Sequence, residues 1–139
     1  TPCIRPGTKE ENTRAYVKAI ENPAVHIIGH PDDGRYPVDY DTLVAAAKEH
    51  HVLLELNNSS LNPAGSRVNP VPNDREMLGF CLKYGAPIII NSDSHCAADV
   101  GNHQYADRLL DEMDFPEHLI VNRSVEEYKK YINRFTLLK

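Results

Sequence analysis

The stretch PIIINSDSH, residues 87–95, combines a clear strand signal with a distinctive polar group. Its apolar part predicts a short buried strand. Because successive side chains of a strand point to opposite faces, an extended backbone beyond Asn91 would place Asp93 and His95 on the same side. A carboxylate and an imidazole at one strand end suit zinc, manganese or iron. The alternative is that Asp93 caps a turn and His95 lies on the polar surface.

Strand and helix signals alternate on both sides of this stretch. The runs at residues 25–29 and 52–56 predict two further buried strands. A short strand is predicted between the last two helices. Five helices are predicted. The first follows a capping box at residues 8–11, the second begins at about Asp39, and the third runs from the N-cap Asn73 to the C-cap Gly85. The fourth lies around residues 106–113, and the fifth follows the N-cap Ser124.

Apolar strands that alternate with helices indicate the α/β class, with a parallel sheet covered by helices, either as an open sheet or as part of a barrel. In both architectures functional groups collect at the carboxyl ends of the strands. Polar residues follow all three strands: His30, then Asn57, Asn58 and Ser59, then Asp93 and His95. Taken singly, each is more often an ordinary turn residue. Because neighbouring parallel strands end at one edge, together they predict a metal centre.

Length and charge restrict the class of protein. A chain of 139 residues fits one domain with its own core. The net charge of −5 argues against nucleic acid or an anionic membrane as the main partner. No apolar run approaches the roughly 20 residues of a membrane helix, and residues 1–5 lack a signal-peptide pattern. Three widely spaced cysteines suit reduced thiols, so we expect a cytoplasmic protein. The first residue, Thr1, indicates a processed or partial chain.

The chain resembles the C-terminal half of the PHP (polymerase and histidinol phosphatase) domain family, and within it the small bacterial PHP phosphatases. Three motifs carry the resemblance, in the order and spacing of the family: NPAVHIIGHP at 22–31, ELNNSS at 55–60 and SDSH at 92–95. The resemblance covers nearly the whole chain. It implies that residues 1–139 are a single partial domain, the C-terminal portion of a distorted seven-stranded (β/α) barrel whose complete form holds up to three metal ions.

The resemblance also implies roles for particular residues. The implied reaction is hydrolysis of a phosphate monoester by a metal-activated water, on a small phosphorylated substrate. Zinc is the expected ion, with manganese or iron as alternatives. The implied metal ligands are His30, Asp93 and His95. Asn57, Asn58 and Ser59 would line the pocket without binding metal. Arg67 or Arg5 would hold a phosphate oxygen, unless each is simply a solvated surface arginine.

The sequence departs from the family pattern in one important respect. The His-x-His strand and the further His and Glu ligands of the family have no counterpart in residues 1–139. We therefore expect the chain by itself to bind metal poorly and to turn over little substrate. Its first strand should leave an open sheet edge, so the expected partner is the N-terminal half of the domain or another copy of the chain. The alternatives are a PHP nuclease module of a DNA polymerase, an amidohydrolase-type barrel and a non-catalytic interaction domain.

Overall fold

The computed structural model of the protein describes residues 7–132. Within this range three short parallel strands form a single sheet. The strands are β1, Ile27–Ile28, β2, Leu53–Asn57, and β3, Ile88–Asn91. They lie in the order β1-β2-β3. Ile27 pairs with Leu53, and Leu54 pairs with Ile88. The prediction of a parallel sheet in a mixed α/β fold is confirmed.

Between residues 7 and 132, five α-helices precede, separate or follow the strands: α1, Lys9–Glu21, α2, Tyr40–His50, α3, Pro70–Tyr84, α4, Gln104–Glu112, and α5, Val125–Ile132. The predicted capping box precedes α1, because Thr8 Oγ1 accepts a hydrogen bond from Glu11 N and the Glu11 carboxylate accepts one from Thr8 N. Gly85 ends α3 in the left-handed conformation, with φ 60°. Ser124 Oγ accepts from Glu127 N in the first turn of α5. Local capping signals therefore set these helix ends.

The two faces of the sheet have different partners. On one face Leu54, Leu56, Ile88 and Ile90 belong to the main core, which also contains buried residues of α1, α2, α3 and α4. On the other face Leu53 and Ile89 form a smaller cluster with Val121 and Tyr131. Each fully buried Leu or Ile side chain contributes about 1.5–3 kcal/mol. The sheet is therefore held from both sides at its centre.

Backbone groups on the outer edge of β3 find hydrogen-bond partners without a full fourth strand. Ile120 forms a single parallel bridge with Ile88. Farther along, the Asn122 side-chain amide accepts from Ile90 N and donates to Ile90 O, both at 2.8 Å. The short strand predicted before α5 is therefore reduced to one bridge, extended by a side chain that takes the place of a strand backbone. At the opposite side, β1 is the other edge of the described sheet.

The start of α3 corrects the sequence prediction. The N-cap is Asn69 and Pro70 is the first helical residue, whereas we expected Asn73 to cap the helix. The fixed φ of proline suits the first helical position, so the helix begins one turn earlier. Asn73 lies inside the helix, where its Nδ2 donates to Asp32 O at 2.7 Å. At 15 residues α3 is the longest helix, and no helix between residues 7 and 132 has the length and apolarity that crossing a bilayer requires.

Candidate functional site

A buried carboxylate joins the carboxyl ends of all three strands. Glu55 lies on the face of β2 that also carries Asn57, and the neighbouring Asn91 ends β3. Glu55 Oε1 accepts from Asn91 Nδ2 at 2.8 Å. Its Oε2 accepts from His30 N at 2.7 Å and from Asn57 Nδ2 at 3.3 Å. Only 8% of Glu55 is exposed, so these donors replace the water that a carboxylate would otherwise bind.

His30 lies just beyond β1 in an unusual backbone conformation. Its φ is 32°, which is uncommon for a residue with a side chain, and the hydrogen bond from its N–H to Glu55 supports it. The exposed His30 ring has Nδ1 at 3.0 Å from Arg67 Nη1. Because a guanidinium can only donate, Nδ1 is the acceptor and the proton of the neutral ring is on Nε2.

Asp93 is brought towards the same place by a turn of the backbone. β3 ends at Asn91, and Asp93 has a left-handed φ of 50°. The extended backbone beyond Asn91 that would have aimed Asp93 and His95 to one side is not present, because pairing with β2 ends at Asn91 and the chain turns there. Asp93 Oδ2 accepts from Asn57 Nδ2 at 3.2 Å and lies 3.7 Å from Arg67 Nη2.

His95 is oriented by the backbone of Asp93. Its Nδ1 lies 2.9 Å from the carbonyl oxygen of Asp93, which can only accept, so Nδ1 carries the proton. The lone pair of the neutral ring is then on Nε2, which suits metal binding. His95 is exposed. The structure thus links His30, Arg67, Asp93 and Asn57 in one chain of contacts, with His95 attached through Asp93.

Arg67 reaches this site from the loop between β2 and α3, and the loop is anchored beside it. Gly34 N donates to Val68 O at 2.7 Å, and a Cβ on Gly34 would lie at that same distance from the oxygen. Only glycine allows so close an approach at this turn. Next to it, hydrogen bonds from Arg35 lower the pKa of Asp33 to about 2. The turn after β1 therefore fixes the position of the loop that carries Arg67.

The other predicted pocket residues have separate surroundings. Asn58 and Ser59 line a cavity together with Asp93 and His95. Asn58 also caps α4, since its Oδ1 accepts from Tyr105 N at 2.9 Å and from Ala106 N at 3.0 Å. Asn57 is only 1% exposed, and its Nδ2 donates a hydrogen bond to the Asp93 carboxylate. Arg5 lies outside the described residues.

Sequence reasoning did not select Glu55 as a site residue, although a single charge inside the run VLLEL was a visible signal. It also missed a buried acidic pair beside the site. Asp32 and Asp74 are fully buried. No donor among residues 7–132 lies within hydrogen-bond distance and angle of their carboxylate oxygens. Burial, followed by the charge of Asp32, raises the pKa of Asp74 well above its usual range. Burial raises the pKa of Asp32 as well.

The described residues offer metal donors but not a complete site. His30, Asp93 and His95 have the right chemistry for zinc, manganese or iron. However, no three His, Cys, Asp or Glu side chains in the part of the chain that the structure describes lie close enough together to hold an ion. The contacts of His30 and Asp93 are instead with the guanidinium of Arg67. A metal site would therefore need ligands beyond these residues.

Comparison with known proteins links the chain to phosphatases. No protein-family model matches it. It is 41% identical over 138 residues to a probable phosphatase of Clostridium novyi, which is 99% of this chain and 56% of that relative. It is 39% identical over 137 residues to a probable phosphatase of Clostridium acetobutylicum, 99% of this chain and 55% of the relative. A probable phosphatase of Caldicellulosiruptor bescii is 41% identical over 130 residues, 94% of this chain and 53% of the relative. The chain spans about half the length of these curated relatives.

Proposed function

We propose that this chain belongs to a metal-dependent phosphoesterase of PHP type that hydrolyses the phosphate monoester of a small molecule. The observation that carries the proposal is the convergence of His30, Asp93 and Arg67 at the carboxyl edge of the sheet. The names of the relatives, which match along almost the whole chain, support the phosphatase assignment. In the reaction a P–O bond to the oxygen of water forms and the P–O bond to the alcohol breaks, so that the alcohol and inorganic phosphate are released.

In this proposal His30, Asp93 and His95 contribute metal-binding atoms, and His30 would do so once Arg67 has left its Nδ1 for a phosphate oxygen. A bound divalent ion would make a hydroxide nucleophile available near neutral pH. Zinc is the first choice, with manganese or iron as alternatives. Arg67 holds a phosphate oxygen, because its planar guanidinium can donate two parallel hydrogen bonds to an oxyanion. Glu55 and Asn57 keep the strand ends in register without touching the substrate.

The incomplete ligand set is part of the proposal. We propose that residues 7–132 contribute one portion of a (β/α) barrel with up to three ions, and that the missing ligands come from another segment or another copy of the chain. Two observations support this: the position of β1 at the edge of the sheet that residues 7–132 form, and the coverage of only about half of each relative. Metal analysis of purified residues 1–139 should find no stoichiometric, tightly bound ion. Tight binding of one or more ions per chain would refute this part.

A non-catalytic domain on the same fold is the second candidate. It is favoured by the lack of a three-ligand group within residues 7–132. A nuclease module is less compatible with the net charge of −5, because nucleic-acid binding needs a basic surface.

The decisive experiment uses the product of the gene that encodes this chain. Inorganic phosphate release from p-nitrophenyl phosphate is measured for the wild type, for Asp93→Asn and for the control Asp111→Asn. Asp111 is exposed in the last turn of α4 and does not line the cavity that contains Asp93. The isosteric Asp93→Asn exchange keeps an acceptor for Asn57 and removes the charge, so we expect at least a hundredfold loss of kcat/KM. The control should stay within twofold of wild type. Equal activity of wild type and Asp93→Asn would contradict the proposal, and no turnover by the wild type would favour the non-catalytic domain.

A further inference from the structure

A polar cavity of about 440 Å³ adjoins the strand-end site beside β3. Asp93 and His95 form part of its wall, so a molecule in the cavity would touch the same groups that we assign to the reaction. Six further wall residues are asparagine, glutamine or serine: Asn58, Ser59, Asn62, Ser92, Asn102 and Gln104. Pockets for small ligands have volumes of about 300–1,000 Å³. The cavity is therefore sized for a small leaving group.

The composition of the wall restricts what this group can be. Among the described residues, neither lysine nor arginine lines the cavity, and Asp99 adds a carboxylate to that of Asp93. A second phosphate or a carboxylate on the substrate would meet the charge of Asp99, and no lysine or arginine of the described wall would neutralise it. Tyr105 and His95 carry the two rings of the described wall, and the proposed function assigns the His95 ring to metal binding, so no second ring is left to enclose a nucleobase. Anionic and planar aromatic leaving groups are both disfavoured.

The remaining wall chemistry matches hydroxyl groups. An amide offers a donor and an acceptor side by side, and a serine hydroxyl both donates and accepts. Neighbouring hydroxyls of a polyol present the same alternation. One part of the wall is also held in place before any ligand arrives, because Asn58 directly follows β2 and its side chain accepts hydrogen bonds from the first turn of α4. A prearranged polar wall reduces the ordering cost of binding.

We infer that this cavity binds the alcohol part of the substrate, and that the substrate is the phosphate monoester of a small, neutral, polyhydroxylated alcohol such as a sugar. The inference rests on the proposed function and narrows it to a substrate class. The phosphate would lie at the Asp93 side of the cavity, where Arg67 is in contact with the carboxylate.

The test compares four esters with the product of the gene that encodes this chain, in the presence of Zn²⁺ or Mn²⁺. Glucose 6-phosphate represents the inferred class, fructose 1,6-bisphosphate adds a second anion, AMP adds a base, and p-nitrophenyl phosphate reports the basal reaction. We expect kcat/KM for glucose 6-phosphate to exceed the values for the bisphosphate and for AMP by at least tenfold. A preference for either of these two would overturn the inference.

A variant pair tests the cavity itself. Gln104 is exposed at the start of α4 and lines the cavity, whereas Arg108 is exposed one turn later and does not. Gln104→Leu keeps a good helix former and removes one hydrogen-bonding group, so kcat/KM for glucose 6-phosphate should fall about fivefold. The value for p-nitrophenyl phosphate, whose leaving group carries no row of hydroxyls, should fall by a smaller factor than the value for glucose 6-phosphate. Arg108→Leu should leave both unchanged.

The outcomes separate the inference from the proposed function. Hydrolysis of p-nitrophenyl phosphate without preference for the sugar ester, or without an effect of Gln104→Leu, would overturn the substrate class and leave the phosphoesterase proposal standing. No hydrolysis of any of the four esters would overturn both. Equal losses on both substrates in Gln104→Leu would indicate damage to α4, and would contradict a specific role of the cavity.

Discussion

The replacement Asp74→Asn should stabilise the protein at neutral pH and leave it unchanged at acid pH. Asp74 lies in α3 with 0% exposure, and burial raises the pKa of its carboxyl well above the usual range. In the folded protein the carboxyl keeps its proton at a pH where the unfolded chain has released it. A raised carboxyl pKa therefore costs stability as pH rises from the unfolded value towards the folded one.

The size of the effect follows from this linkage. Each pH unit over which the folded state keeps a proton that the unfolded state has lost costs about 1.4 kcal/mol. About three units separate the ordinary carboxyl pKa from pH 7, which limits the cost to about 4 kcal/mol. Asparagine is neutral at every pH and its Nδ2 adds a donor beside Asp32. We therefore expect the variant to be more stable at pH 7, by at most about 4 kcal/mol, with the difference shrinking towards zero near pH 4.

The groups around Asp74 define what else titrates in this experiment. Burial acts first on its pKa; the nearby charges come next, with Asp32 and Glu55 raising the pKa and Arg67 lowering it. Two buried groups face Asp74 in turn, Tyr40 and Cys81, and burial is the main reason that the pKa of each is raised. Both stay neutral between pH 4 and 7.5, so neither adds a slope in that range.

Urea unfolding followed by circular dichroism at pH 4, 5.5 and 7 measures the free energy of unfolding of both proteins. The exposed Asp111→Asn serves as the matched control, and its free energy should follow that of wild type at each pH. The reasoning would be refuted if Asp74→Asn were less stable than wild type at pH 7. It would also be refuted if the two proteins kept a constant difference over the whole pH range.

Two further changes test the supports of the site. In Glu55→Gln one end of the side chain becomes a donor that faces the N–H groups of His30, Asn57 and Asn91. The free energy of unfolding should therefore fall by about 1–3 kcal/mol. A thermal midpoint equal to that of wild type would contradict the role of this hydrogen-bond network. In Gly34→Ala the new Cβ meets Val68 O at 2.7 Å, which should cost about 1–3 kcal/mol in urea unfolding. Gly79→Ala is its control, because nothing lies within 4 Å of that Cβ and alanine favours helix, so this variant should be as stable as wild type or more so.

The sequence allowed the parallel strands and the order of helices to be predicted, because both follow from local periodicity and capping. Thr8 and Ser124 cap the helices that they were expected to cap. The start of α3 was misplaced because the helix begins at Pro70, behind an N-cap residue, Asn69, whose side chain makes no capping hydrogen bond, whereas Asn73 was expected to be the cap. Capping signals predicted a helix end where the side chain forms the capping bond.

The arrangement of the site was less predictable, because it depends on contacts between distant parts of the chain. The left-handed turn at Asp93 follows the end of pairing between β2 and β3, which the local sequence does not encode. The contact of Arg67 with His30 joins residues 37 positions apart. Asn58 looked like a pocket residue, and its capping of α4 becomes visible only when residues 47 and 48 positions away are placed beside it.

Phosphate release before and after metal removal tests the central claim most directly. The product of the gene that encodes this chain is treated with a chelator, dialysed, and assayed with p-nitrophenyl phosphate, first without metal and then with added Zn²⁺, Mn²⁺ or Fe²⁺. The account predicts that activity is lost on chelation and that at least one of these ions restores it in the wild type, but not in Asp93→Asn. Full activity after complete metal removal, or equal restoration in wild type and Asp93→Asn, would contradict it.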